Sequence, residues 1–232
     1  VFTHAGLGGE AGEYKLLTQS FLYKFLNDKF LYEAQDVDSE NTYDRLVSMS
    51  EEDYDWLLED IGTSTAWMKP NQFIETLHRK QNESDFYETF ENTLNQIAID
   101  NNDIFSVHTD GDTAIRLFDE RLITDTISDS SKRNEVAKAI INLLARVKFD
   151  ETIFSQGFDF FSTLFEYMIK DYNKDGGGKY AEYYTPHSVA KIIADILVGN
   201  DQPSNVRIYD PSAGSGTLLM NLASRIGVDK TT

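Results

Sequence analysis

Apolar residues recur every three or four positions along most of this chain, and that rhythm predicts helices far more often than strands. Over Glu13–Glu33, the residues Leu17, Phe21, Leu22, Phe25, Leu26 and Phe30 share one wide face, so a mostly buried helix is expected. Glu33 to Asp44 is acidic and reads as a loop. Ser50, with Asp53 three residues on and Trp56-Leu57-Leu58 behind it, predicts an N-capped helix that stops near Gly62. Lys69-Pro70-Asn71 opens the next helix, with Phe73, Ile74 and Leu77 inward. Ser84 is the expected cap of a helix over Asp85–Ile99, built on Phe86, Phe90, Leu94 and Ile97. Asp110-Gly111-Asp112 reads as a turn. Helices are expected over Ile115–Thr124, over Ser131–Val147 and over Phe158–Tyr172.

The pattern changes after about Gly157, where a boundary is expected. Thr185-Pro186 opens an apolar helical stretch. Val206 to Asp210 reads as a short buried strand. Pro211-Ser212-Ala213-Gly214-Ser215-Gly216 then turns directly into a helix over Thr217–Ile226. Strand, glycine turn and helix open a doubly wound α/β domain, in which ligands sit at the carboxyl end of the strand. Gly214 and Gly216 let the backbone approach a ligand, and the helix N–H groups favour an anionic group. A carboxylate at Asp210 can pair with an ammonium. S-adenosylmethionine carries an ammonium and a carboxylate at its methionine end, which suits this combination.

Charge changes the picture next. The chain has 39 acidic against 21 basic residues, a formal net charge of −18. A protein that grips duplex DNA alone needs a basic surface, so either DNA is not the substrate or a partner supplies the grip. No run of apolar residues is long enough for a membrane helix, and the first residues have no signal-peptide pattern. With no cysteine there is no disulfide and no thiolate chemistry, which fits a cytoplasmic protein. His4, His78, His108 and His187 lack metal-ligand spacing, so no metal site is expected from them. His78 and His108 read as surface or core residues. His187 either lines the donor pocket or sits exposed at the helix start.

Glu182-Tyr183-Tyr184-Thr185-Pro186, followed by Asp210-Pro211-Ser212-Ala213-Gly214-Ser215-Gly216, resembles the paired signature of the N6-adenine DNA methyltransferases. It is most similar to the methylation (M) subunit, HsdM, of type I restriction–modification enzymes. Glu13–Phe30 and the Phe-Glu-Tyr-Met-Ile run at Phe165–Ile169 also resemble that subunit. The resemblance implies an S-adenosyl-L-methionine pocket formed by Glu182, Tyr183, Tyr184, Thr185, Pro186, His187, Asp210, Ser212, Ala213, Gly214, Ser215, Gly216 and Thr217. It implies methyl transfer to adenine N6 in double-stranded DNA, with a separate specificity (S) subunit reading the sequence. A restriction (R) subunit and a second M subunit are further implied partners. The family's catalytic Asn/Asp-Pro-Pro-aromatic motif is missing. Pro70, Pro186, Pro203 and Pro211 are never adjacent, so catalytic residues are expected beyond position 232.

The expected fold is therefore mainly α. A helical domain over 13–156 precedes the first βα unit of a truncated Rossmann-like methyltransferase domain over 157–232. Two other readings stand beside it. The chain works as a non-catalytic helical assembly module that binds a partner subunit. Alternatively, Asp171, Asn173, Asp175 and Glu182, with Gly176 at the turn, match the calcium-loop spacing of an EF-hand. The absence of a second loop, Gly178 at the expected apolar position and Lys179 at a ligand position count against calcium.

Overall fold

The computed structural model describes residues 11–63, 65–102, 107–108, 114–115, 117–156, 185–201, 203–213, 216–227 and 230–231. The chain divides into two compact units, Val1–Glu151 and Thr152–Thr232.

The first unit is helical. Its elements are α1 (Ala11–Val37), α2 (Tyr43–Ser48), α3 (Glu51–Ile61), α4 (Ile74–Lys80), α5 (Phe86–Asp100), α6 (Leu122–Thr126) and α7 (Ser130–Leu144). A 3-10 turn, Pro70–Gln72, leads into α4. Val107–His108 (β1) and Ala114–Ile115 (β2) pair antiparallel, Val107 opposite Ile115. The Asp110–Asp112 turn between them lies outside the described residues.

The core forms where α1 meets α3, α6 and α7, and α5 packs on α7. Phe30 stacks on Tyr54 at 6.4 Å and lies 5.7 Å from Phe73, while Tyr23 meets Phe90 edge-on at 6.1 Å. Each of these rings buries a large apolar area and gains from the offset geometry. Burial pushes the phenols of Tyr23 and Tyr54 well up, and both donate to backbone carbonyls, of Gln72 and Met68. Such donors keep buried hydroxyls from being orphaned.

Local expectations hold closely in α3. The Ser50 Oγ accepts from the Asp53 amide, and Gly62 closes the helix at φ 63°. Phe73, Ile74 and Leu77 are buried, as are Phe86, Phe90, Leu94 and Ile97. Three expectations fail. Asp85, not Ser84, occupies the N-cap of α5, in the left-handed region at φ 55° and without a side-chain cap bond. The segment expected as a helix over Ile115–Thr124 begins in β2, and its helix starts only at Leu122. Strand pairing satisfies the backbone there before a helix can form.

The third failure concerns the buried face of α1. Phe21 and Phe25 are only half-buried, while Ser20, Lys24, Asn27 and Asp28 are buried. Tertiary hydrogen bonds explain this. Asn27 Oδ1 accepts from the Ile74 amide at 2.9 Å, and Asp28 Oδ2 accepts from the Phe149 amide at 2.8 Å. Lys24 Nζ pairs with Asp28 Oδ2 at 2.9 Å and lies over the Phe149 ring at 5.9 Å. The polar stripe of α1 thus supplies partners for backbone groups that the core would otherwise strand.

In the second unit, α8 (Glu151–Gln156) begins at the division between the two units. The expected helix over Phe158–Tyr172 and the calcium-loop residues Asp171–Glu182 lie outside the described residues. α9 (His187–Val198) follows Thr185-Pro186, and α10 (Thr217–Ile226) spans the expected residues. Ala190, Ala194 and Val198 are buried at four-residue spacing on α9, and α9 packs on α10. The small alanines let the two backbones approach. Arg225 of α10 joins the far ends, donating to Asp195 Oδ1 and to the Gly199 carbonyl, both at 2.8 Å.

The expected buried strand over Val206–Asp210 is not formed. Val206 makes one parallel bridge with Thr231, its amide donating to the Lys230 carbonyl at 2.9 Å. Tyr209 is 87% exposed. A parallel strand buries both faces only between neighbours, and among the described residues this bridge is the one pairing that Val206–Asp210 makes.

Candidate functional site

Of the expected site, Thr185, Pro186, His187, Gly216 and Thr217 stand at the N-terminal ends of α9 and α10. Pro186 is the N-cap of α9, and its carbonyl accepts from the Val189 and Ala190 amides. Its missing N–H costs nothing there, because first-turn amides have no helical acceptor. One residue later, His187 is 9% exposed, so it is not an exposed helix-start residue.

His187 faces α10. Its Nδ1 lies 3.1 Å from Asn221 Nδ2, and the same Asn221 nitrogen donates to the Thr217 carbonyl at 2.7 Å. An amide nitrogen only donates, so Nδ1 of His187 accepts and the ring proton sits on Nε2. Turning the Asn221 amide over would set its oxygen against the Thr217 carbonyl oxygen, which fixes the orientation. Thr217 and Asn221 are both buried. A buried hydrogen bond thus joins the start of α9, just after Thr185-Pro186, to the helix after the glycine turn.

The turn itself is tight. Asp210 Oδ1 accepts from the Ser212 amide at 2.8 Å, and the Gly216 amide donates to the Ala213 carbonyl at 2.7 Å. Asp210 Oδ2 meets no donor among the described residues. Gly216 is the N-cap of α10 at φ 75°, a conformation that favours glycine, and no side chain caps the helix. A Cβ built at Gly216 would meet nothing within 4 Å among the described residues. Ser212 is exposed and Ala213 half-buried. An open helix N-terminus, with a carboxylate oxygen in the turn before it, offers donors for an anion and an acceptor for a cation.

Glu182, Tyr183, Tyr184, Gly214 and Ser215 lie outside the described residues. Thr185 is half-buried just before α9. Asn221 was missed by sequence reasoning. The available signal was one polar residue four positions after Thr217, within an otherwise apolar helical face. Among the described residues no group of carboxylates or histidines is arranged to hold a metal ion, and no helix is long and apolar enough to cross a membrane.

Comparison with known proteins gives this geometry a context. Residues 156–232 match the N-6 DNA Methylase family. The chain is 24% identical over 220 residues to the type I restriction enzyme MpnII methylase subunit of Mycoplasma pneumoniae. It is 24% identical over 208 residues to the MjaVIII methylase subunit of Methanocaldococcus jannaschii. Each alignment takes in 90% of this chain, but the chain spans only 40% and 32% of the lengths of those relatives. By fold, all of it superposes on half of a crystal structure, the methyltransferase subunit of a type I restriction-modification system from Streptococcus thermophilus. The TM-score is 0.66 and the identity 21%. In sequence the chain is thus similar to methylase subunits of type I restriction–modification systems, in fold it resembles one, and its residues 156–232 match the N-6 DNA Methylase family.

Proposed function

We propose that this chain forms the methyl-donor side of a DNA methyltransferase subunit that transfers a methyl group from S-adenosyl-L-methionine to adenine N6. The observation that carries the proposal is the His187–Asn221 junction, which brings the Thr185-Pro186 segment to the helix behind the glycine turn. Asp210 Oδ2 would take the donor's ammonium. The α10 N-terminus would take its carboxylate, with Gly214, Ser215, Gly216 and Thr217 forming the close backbone wall. Glu182, Tyr183, Tyr184, Thr185, Pro186 and His187 would line the other side, with Ser212 and Ala213 completing the turn. The single parallel bridge from Val206 to Thr231, reached through α10, is the path of a βαβ crossover and supports a Rossmann-like unit beginning here.

Methyl transfer also needs acceptors that raise the nucleophilicity of the adenine amine, and a base swung out of the stack. Those groups would come from the Asn/Asp-Pro-Pro-aromatic element that residues 1–232 lack. A net charge of −18 supports an arrangement in which a specificity subunit, a second methylation subunit and the rest of the assembly supply the basic grip on double-stranded DNA. The helical unit Val1–Glu151 would serve that assembly, in the cytoplasm where such complexes meet DNA. A restriction subunit would join the same complex.

Isothermal titration of S-adenosylmethionine tests the donor site. Asp210→Ala should weaken binding by about 10-fold or more, as for loss of one charge-assisted hydrogen bond. Gly216→Ala should also weaken it, because a Cβ at φ 75° strains the turn that presents the helix N–H groups. An affinity that neither substitution changes would remove the site from this turn.

A further inference from the structure

We propose that the outer face of α3 docks an arginine-bearing basic segment of a partner protein, with Trp56 as the contact at its centre. This inference is independent of the methyl-donor reading. Tyr54, Leu57 and Ile61 turn α3 onto the core, and Trp56 points the other way, 63% exposed. Glu52, Asp55, Glu59 and Asp60 stand at helical spacing around it, all exposed. With Glu51 and Asp53, α3 carries six acidic residues and no basic one within its 11 positions.

Among the described residues no cation is paired with this face. Glu51, Glu52, Asp55, Glu59 and Asp60 make no ion pair among the described residues. Glu51–Asp55 and Asp55–Glu59 are like-charge pairs four apart, which weaken a helix. Acidic residues help at a helix start, but Glu59 and Asp60 sit in the last turn, which has no basic residue and where the helix dipole opposes them. An exposed indole ringed by carboxylates is the complement of a guanidinium, which stacks on the ring and bonds to carboxylates in its own plane. Tryptophan is also among the residues that dominate interface energies.

Charge chooses among the possible occupants. A second copy of this chain carries −18 and repels the face, as do DNA phosphates and anionic lipid headgroups. A basic protein segment is attracted and gains the indole contact as well.

Fluorescence anisotropy with a short labelled peptide of alternating arginine and alanine, and its lysine counterpart, tests this. The arginine peptide should bind more tightly than the lysine one. Trp56→Ala and the pair Glu52→Lys with Glu59→Lys should each weaken it by about 10-fold, the scale of an interface hot spot. The pair Glu83→Lys with Glu135→Lys changes net charge equally at exposed positions elsewhere and should leave affinity within about 2-fold, as expected for distant surface charges. Trp56 is exposed, so an unchanged thermal midpoint is expected for Trp56→Ala. Equal weakening by the Glu83/Glu135 pair, or no effect of Trp56→Ala, would overturn the proposal in favour of diffuse charge attraction. A dimer in sedimentation that Trp56→Ala dissolves would overturn it in favour of a second copy.

Discussion

His187 and Asn221, 34 positions apart, meet through a 3.1 Å contact between Nδ1 and Nδ2, and the same amide holds the Thr217 carbonyl at 2.7 Å. Two helix starts that the sequence leaves unrelated are thereby fixed against each other. Asn221→Leu should remove both side-chain bonds from this buried junction, at about 1–3 kcal/mol. Calorimetry should show a lower unfolding midpoint for the second unit. Titration of S-adenosylmethionine should show weaker binding, although residue 221 is not among the proposed pocket residues. Unchanged donor affinity in a folded variant would show that the junction is structural alone.

The ion pair Lys24–Asp28 makes a sharper energetic prediction. Both side chains are 6% exposed, and Asp28 also accepts from Asn27 and from the Phe149 amide. Asp28→Ala should cost about 3–5 kcal/mol in urea denaturation, because it leaves a buried ammonium uncompensated. Adding Lys24→Met should recover part of that loss, since the desolvated charge is then gone.

Glu91 reaches across from α5 to the first turn of α6. Its two oxygens accept from the Thr124 amide at 2.6 Å and from the Thr124 hydroxyl at 2.9 Å. This is a helix cap supplied by a distant residue, and the carboxylate also meets the positive end of the dipole. Glu91→Ala should cost about 1–2 kcal/mol, on the scale of a lost cap. Hydrogen exchange should show the loss first at Leu122–Thr126.

Asp100 links stability to pH. Burial pushes its carboxyl up, but hydrogen bonds from Gln96, Gln72 and Lys69 outweigh burial, and the net shift is downward. Its folded value is then below the unfolded one, about 3.9 for a free aspartate. The contribution is complete above that unfolded value and disappears as pH falls through the folded one. Unfolding measured from pH 6 down to about pH 2 should therefore fall less steeply in Asp100→Asn than in the unaltered protein. Parallel curves would show that Asp100 does not contribute to the acid sensitivity.

The sequence by itself determined the helices whose signals are local. Ser50 and Gly62 bound α3 because a hydroxyl cap and a left-handed stop act within a few residues. Phe86, Phe90, Leu94 and Ile97 fix the inward face of α5, and Thr217 to Ile226 is helical as the apolar spacing requires. The Thr-Pro and Asp-Pro-Ser-Ala-Gly-Ser-Gly elements also mark, unaided, the part of the chain related to DNA methylases.

Tertiary structure decided what depends on a distant partner. Lys24 and Asp28 have the spacing of an ordinary surface pair, and only the Ile74 and Phe149 amides make that face of α1 an interior one. Asp85 replaces Ser84 at the start of α5 through a backbone conformation that residue type does not dictate. Val206 to Asp210 has strand-like residues, yet a strand exists only as far as its neighbours pair with it, and here that is one bridge to Thr231. Asn221 gained its place for the same reason: a polar side chain on an apolar helix acquires meaning only when a fold sets His187 opposite it.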